Sequence, residues 1–325
     1  MNAINIGRKR YYGVFKRNLL ILLIVFFAAG AARAQYDAAF SHYWALQPYY
    51  NPAAVGKDAK INIAAAYAMN FVGFTHSPKT MYVAADMPFM FLNAQHGVGL
   101  GLVNDQIGLF KHQNFHLQYS AGIRLGGGTL RVGAKVGLIT ENFDGSKLDL
   151  ENSADPVFVK SSATGHGLDI DVGLYYKQKS WYAGLSAMHV TAPRVELGEL
   201  NEIDIGGSYY LTGGCDIKMN NQMFTLHPSM ILRTDLAAYR GDVTCRVEYS
   251  DGNRKLEAGL SYSPGTSVTL LLGGDLHGLN IGYSYEAYTS ALSPGNGSHE
   301  LCIGYKIDRN LVKRGRNKHK SVRLL

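Results

Sequence analysis

An all-β fold, a transmembrane barrel of about fourteen antiparallel strands, is what this sequence predicts, and three observations carry the prediction. Apolar residues alternate with polar ones or glycine almost from residue 60 to residue 307, the period of a strand with two unlike faces. Tight turns tend to alternate with long connections, as at the two rims of an outer-membrane barrel. The chain also opens with the three parts of an export signal.

Residues 1–34 stand apart from the fold. Arg8, Lys9, Arg10, Lys16 and Arg17 form a basic region, Leu19 to Ala29 is an unbroken apolar run, and Ala32-Arg33-Ala34 is a small-x-small cleavage site before Gln35. The apolar run is too short for an anchor, since a helix needs about 20 residues to cross the hydrocarbon core. A cleaved signal peptide is expected. No cysteine follows the site, which disfavours a lipid anchor.

Charge reads differently once that segment is set aside. The formal net charge is +7, but residues 1–34 contribute six Lys/Arg and no acid. From Lys306 onward a basic tail adds another +7, leaving residues 35–305 at −6. The high isoelectric point belongs to two ends and not to a basic body, so nucleic acid is not an expected partner.

Strands are expected over 60–70, 80–88, 96–106, 113–126, 128–141, 165–178, 180–190, 202–213, 222–233, 239–250, 254–263, 266–275, 278–288 and 297–307. In the fifth, Leu130, Val132, Ala134, Val136 and Leu138 alternate with Arg131, Gly133, Lys135 and Gly137. In the sixth, Leu168, Ile170, Val172 and Leu174 alternate with Asp169, Asp171 and Gly173. Tight turns fall at Gly126-Gly127-Gly128, Gln178-Lys179-Ser180, Asp251-Gly252-Asn253 and His277-Gly278, and long connections at 71–80, 142–165, 191–201 and 289–297. The stretches 89–95 and 214–221 read as long on the short side, and Pro264-Gly265 as short on the long side. A soluble sandwich would also alternate. Fourteen segments with no helix between them favour closure, which removes sheet edges. The 21 Tyr, 13 Phe and 2 Trp suit aromatic girdles at the two interfaces, in contact with outer-membrane lipid.

Catalytic chemistry finds little support. Asp169 and Asp171 share a strand face about 7 Å apart, close enough for paired carboxylates, yet an acidic lumen lining accounts for them. His112 and His116 have i, i+4 spacing at the start of a strand, where it does not cluster ligands, and are expected to be solvated. Cys215, Cys245 and Cys302 form no metal or disulfide pattern. The glycine pairs lack the Lys-Ser/Thr and helix of a phosphate loop. No catalytic residue, metal or cofactor is expected.

Between signal and strands lies an irregular stretch, Asp37 to Gly56, in which two prolines disfavour helix and strand. It contains Phe40-Ser41-His42-Tyr43 and Asn51-Pro52-Ala53-Ala54-Val55-Gly56. With Trp181-Tyr182-Ala183-Gly184-Leu185-Ser186, His189, and Ser298-His299-Glu300-Leu301 before Gly304-Tyr305, these resemble the motifs of the PorP/SprF family. Ala38 and His42 stand where the family often has Pro and Gln. The resemblance implies a non-enzymatic outer-membrane barrel of Bacteroidota that acts as an accessory of type IX secretion and, in some members, gliding motility. Its implied partners are secreted or surface cargo proteins and periplasmic components of that system.

The expected organisation is a signal peptide over 1–34, a motif segment over 35–58, a barrel over 59–307 and a basic tail over 308–325. Phe40, Ser41, Tyr43, Trp44, Asn51 and Pro52 are expected either to plug or brace the barrel from the periplasmic side or to present an edge to a partner. A general porin is the alternative function, and an outer-membrane hydrolase a third.

Overall fold

A computed structural model of the chain describes residues 37–145, 162–198, 201–252, 254–290 and 296–308. The expected signal peptide and the tail beyond residue 308 lie outside the described residues. The strands are β1 (Lys60–Met69), β2 (Lys79–Phe91), β3 (Ala94–Ile107), β4 (Phe110–Leu125), β5 (Gly128–Phe143), β6 (Ala163–Lys177), β7 (Trp181–Met188), β8 (Arg194–Leu197) and β9 (Asn201–Asp204). They continue with β10 (Ser208–Cys215), β11 (Ile217–Lys218), β12 (Phe224–Thr234), β13 (Tyr239–Asp251), β14 (Arg254–Ser263), β15 (Ser267–Leu276), β16 (Leu279–Tyr288) and β17 (Ser298–Asp308).

Fourteen of these form a closed antiparallel barrel. Each pairs with its sequence neighbour, β7 with β10 and β10 with β12, and β1 with β17 closes the ring from Lys60↔Asp308 to Met69↔His299. The short β11 folds back on β12, and β8 with β9 forms a separate hairpin.

The polarity of the wall is inverted relative to a soluble protein. Outward residues such as Leu117, Leu168, Leu185 and Leu260 are more than half exposed, whereas inward Ser120, Asp169, Asp171 and Thr244 are fully buried. So large an apolar outer surface is stable only against lipid. Aromatic residues gather at both rims: Tyr67, Phe110, Tyr209 and Tyr262 at one, and Trp181 and Tyr305 at the other. Tyr176 packs on Trp181 and Phe224 on Tyr249 at the lower rim, 5.3 and 5.2 Å between ring centroids.

Turn chemistry explains where the strands end, and it corrects three expectations. The stretch 89–95 is not a long connection: β2 and β3 run to a two-residue turn at Leu92-Asn93, both with positive φ. That is the hairpin geometry whose twist matches the strands, and Gly126-Gly127 and His277-Gly278 share it. Leu92 carries none of the usual sequence signal for such a turn. Likewise β3 and β4 meet across Gly108-Leu109, which places His112 inside β4. His116 is therefore buried in the lumen beside Tyr82 and not solvated. The expected strand over 202–213 divides, because Gly206-Gly207 separate β9 from the barrel strand β10.

The β8–β9 hairpin turns inward at the rim with the longer loops. Val195 and Ile205 are buried against Ile139 of β5. A Cβ on inward-facing Gly165 would meet the Glu196 carbonyl, so the glycine admits the hairpin to the inner wall. Its other face carries the exposed Arg194–Asp204 pair, at 2.9 Å.

Leu117, outward and midway along β4, tests the lipid-facing assignment. Leu117→Arg is expected to destabilise the barrel in lipid by about 2–4 kcal/mol, read from reversible denaturant unfolding in bilayers. An unchanged midpoint would place Leu117 away from hydrocarbon.

Candidate functional site

Residues 37–58 lie inside the barrel. The segment enters near the short-turn rim at Lys57–Lys60, and Asp37 reaches the upper half of the lumen beside His189 and Tyr210. One α-turn (Gln47–Tyr50) and one 3-10 turn (Pro52–Ala54) give it shape, with prolines in the first positions of each, where no intrahelical donor is lost. Its aromatic residues form the core of the molecule. Phe40, Tyr43, Leu46, Tyr49 and Tyr50 pack with Tyr82, Val103, Met188, Tyr210 and Ile231 of the wall. Phe40 meets Tyr49 edge-on at 5.1 Å, and Tyr49 meets Tyr50 at 4.8 Å. Trp44 is half-buried, with the Arg246 guanidinium 3.9 Å above its ring.

Polar contacts fix the segment to three places on the wall. On β17, Glu300 accepts hydrogen bonds from the backbone N–H of Ser41 (2.6 Å) and His42 (3.0 Å), and its Oε1 lies 2.6 Å from His42 Nδ1. Gly282 on neighbouring β16 leaves room for the His42 ring, where a Cβ would come within 2.6 Å. On β6 and β7, Asn51 Nδ2 donates to the carbonyls of Leu174 (2.8 Å) and Leu185 (3.3 Å), which face one another across the ladder. Its Oδ1 accepts from Ala53 N–H at 2.9 Å and caps the 3-10 turn. Gly173 and Gly184 floor the Asn51 seat, and a Cβ on either would strike its amide. Ser186 Oγ donates to the Tyr50 carbonyl at 2.6 Å. On β4 and β5, Arg131 Nε donates to the Ala53 carbonyl (3.1 Å), while Arg131 Nη2 and Ser120 Oγ donate to that of Val55 (2.8 and 2.7 Å).

A charged cluster pins the upper end. His189, just past the end of β7, directs Nε2 to Asp37 at 2.9 Å and Nδ1 to Asp169 at 3.0 Å, and its N–H donates to Asp171. Tyr210 donates to the other Asp37 oxygen at 2.8 Å, and Lys135 pairs with Asp171. Asp169, Asp171 and His189 lie close enough together to hold a metal ion. With a carboxylate at each ring nitrogen, however, His189 suits a doubly protonated imidazolium, which has no lone pair for a metal. Asp169 and Asp171 thus line the lumen as expected, but as partners of buried cations. Burial opposes the charge on His189, and Asp37 with Asp169 outweighs it, pushing its pKa up to about 10. Burial likewise opposes the Asp37 carboxylate, but the His189 charge and hydrogen bonds hold it below the usual carboxylate range.

Of the residues singled out from sequence, Phe40, Tyr43, Asn51 and Pro52 are buried, and Ser41 and Trp44 partly so. The three motif stretches, far apart in sequence, meet here: Asp37–Gly56 is the inserted segment, Gly184, Ser186 and His189 hold its middle and upper end, and Glu300 holds its turn. Arg131, Ser120 and Tyr210 complete the socket, and only their inward, polar place in an alternating strand marked them.

The sequence matches the family described as type IX secretion system membrane protein PorP/SprF over residues 32–305. The chain belongs to the PorP/SprF family. Among curated proteins none matches at a significant level. In overall shape this PorP/SprF barrel is similar to the CymD monoaromatic hydrocarbon channel, with a TM-score of 0.49 at 11% identity, covering 86% of this chain and 95% of that one. It is also similar to a Pseudomonas aeruginosa FadL homologue, with a TM-score of 0.46 at 11% identity over 78% and 92% of the two chains. The Pseudomonas putida toluene transporter TodX gives a TM-score of 0.47 at 9% identity over 86% and 96%.

Two measurements test the socket. Asn51→Ala removes the amide that bonds the Leu174 and Leu185 carbonyls and leaves the Ala53 N–H without its acceptor, and is expected to lower stability by about 1–3 kcal/mol in denaturant unfolding. The His189 contribution should be whole below its ordinary value of 6.5 and fade as pH rises toward about 10, while that of Asp37 should be whole above 3.8 and fade under more acid conditions. Protease protection of residues 37–56 in the purified barrel should therefore weaken at both extremes, and His189→Gln should remove the alkaline limb.

Proposed function

We propose that this PorP/SprF protein is a non-enzymatic accessory barrel of type IX secretion in the outer membrane, closed to free diffusion by its own N-terminal segment. One observation carries the reading. Every motif stretch that marks the family in this sequence supplies a residue to the seat of residues 37–56, so the seated segment is what the motifs specify. In this role Phe40, Ser41, Tyr43, Trp44, Asn51 and Pro52 act as a plug, and the barrel offers cargo and periplasmic components its rims. The resemblance implies, for some members of the family, surface attachment of adhesins or gliding motility as forms of this service. Deleting the gene is expected to remove a defined subset of proteins from the secreted and surface fractions; an unchanged profile would end the proposal.

A small-solute channel is the second reading. A cleft of about 250 Å³ remains between the segment and the wall, lined by His42, Trp44, Asp58, Arg246, Glu257 and Lys306. Planar-bilayer conductance separates the two. The plugged barrel should conduct little, and a variant lacking residues 37–56 should open a large, stable conductance. Stable large conductance in the unaltered protein would favour the channel.

A further inference from the structure

The rim with the short turns faces the periplasm in barrels of this type. Beside the inserted segment, the β4–β5 and β6–β7 turns frame an open recess of about 560 Å³ there. That lies within the ordinary range of ligand sites, about 300–1,000 Å³. Five cations line it, Lys57, Arg124, Arg131, Lys177 and Lys179, and its described lining holds no carboxylate. Asp58 approaches from the side, 2.8 Å from Lys177 and 4.0 Å from Lys57.

Arg131 supplies the decisive detail. Its Nε and Nη2 are committed to the carbonyls of Ala53 and Val55 and to Ser120 Oγ. Its Nη1 is buried and makes no hydrogen bond among the described residues. This nitrogen lies toward the recess: a Cβ on Gly122 would come within 3.0 Å of it and within 3.2 Å of Thr129 and Gln95, both recess residues. An unpartnered guanidinium nitrogen in a buried setting is costly unless an acceptor reaches it.

The spacing of the cations says which acceptor. Arg124 faces Thr129 across the ladder, and Thr129 faces Lys177. By alternation all three point inward, so the two cations stand two strand spacings apart, about 10 Å at the backbone. A compact ion such as phosphate meets one part of such a row. An extended peptide in polyproline II form presents every third residue on one face, about 9 Å apart, and carboxylates so spaced follow it.

We propose that this recess binds an acidic peptide segment of a periplasmic protein, with Arg131 Nη1 meeting the deepest carboxylate and Arg124, Lys177 and Lys179 those that follow. The inference rests on the accessory role proposed above and names the chemistry of one partner surface.

The test titrates a fluorescently labelled hexaglutamate peptide against the full-length barrel in detergent. Saturable binding that weakens with added salt is expected. Arg124→Ala combined with Lys179→Ala, both exposed and neither touching the segment in the lumen, should weaken it tenfold or more. Lys218→Ala, elsewhere on the same rim, should leave it unchanged. No binding by the unaltered barrel, equal binding by the double variant, or displacement by equimolar inorganic phosphate would each overturn the assignment. Cargo export is a separate readout: an export defect without peptide binding sinks the recess alone, and peptide binding with unchanged export sinks the accessory role alone.

Discussion

A fourteen-strand barrel encloses more space than its own inward side chains can fill. That surplus volume is the constraint from which the rest of the structure follows. The inward faces of β4, β5 and β6 carry Ser120, Arg131, Lys135, Asp169 and Asp171, groups that would be hydrated in an open pore. Here they are buried: residues 37–58 occupy the space and partner Ser120 and Arg131, while on the wall Lys135 pairs with Asp171, and Asp169 and Asp171 both meet His189. The inserted segment brings the apolar core with it: Phe40, Leu46, Tyr49 and Tyr50 are the residues around which the small inward side chains of β1 and β2, among them Ala66, Ala68 and Ala84, close. A wall of small residues opposite a string of large ones is the complementarity that close packing demands.

The polar contacts divide the work. Backbone carbonyls of an irregular segment cannot join a sheet, so those that its own turns leave unbonded are met by side-chain donors. Arg131 and Ser120 serve Val55, Arg131 also serves Ala53, and Ser186 serves Tyr50. Glu300 does the converse for the donors of Ser41 and His42. At the upper end the contacts become ion pairs, with Asp37 and Asp169 on His189 and Asp171 on Lys135, all away from water. Removing one member of such a set leaves the others exposed to the full cost of burial. The seat therefore holds one conformation of the segment and penalises partial ones.

A different element occupies the other rim. The β8–β9 hairpin packs Val195 and Ile205 against Ile139 and turns an ion-paired face outward. A segment bonded to strands around the wall and a hairpin resting on β5 and β6 thus both occupy the lumen.

Much of this was legible in the residues themselves. Period-two alternation gave the fourteen strands to within a few residues, because a strand between lipid and a polar lumen must change polarity at every step. The divided strand at Gly206-Gly207 and the mirror-image turn at Leu92-Asn93 escaped, since a glycine pair and a leucine do not announce which way the backbone turns. The segment Asp37–Gly56 stood out by its prolines and aromatics, but its destination did not. Nothing local in Gly173 or Gly184 says that they floor a seat for Asn51, or in Glu300 that it caps the backbone at Ser41 and His42, or in Arg131 that it serves the carbonyls of Ala53 and Val55. Those pairings join residues up to 259 positions apart, and they exist only once the ring has closed and set its inner faces opposite one another. Sequence alone determined the barrel, because alternation is a property of neighbours along the chain. Tertiary structure decided what fills it, because filling depends on what stands across the lumen.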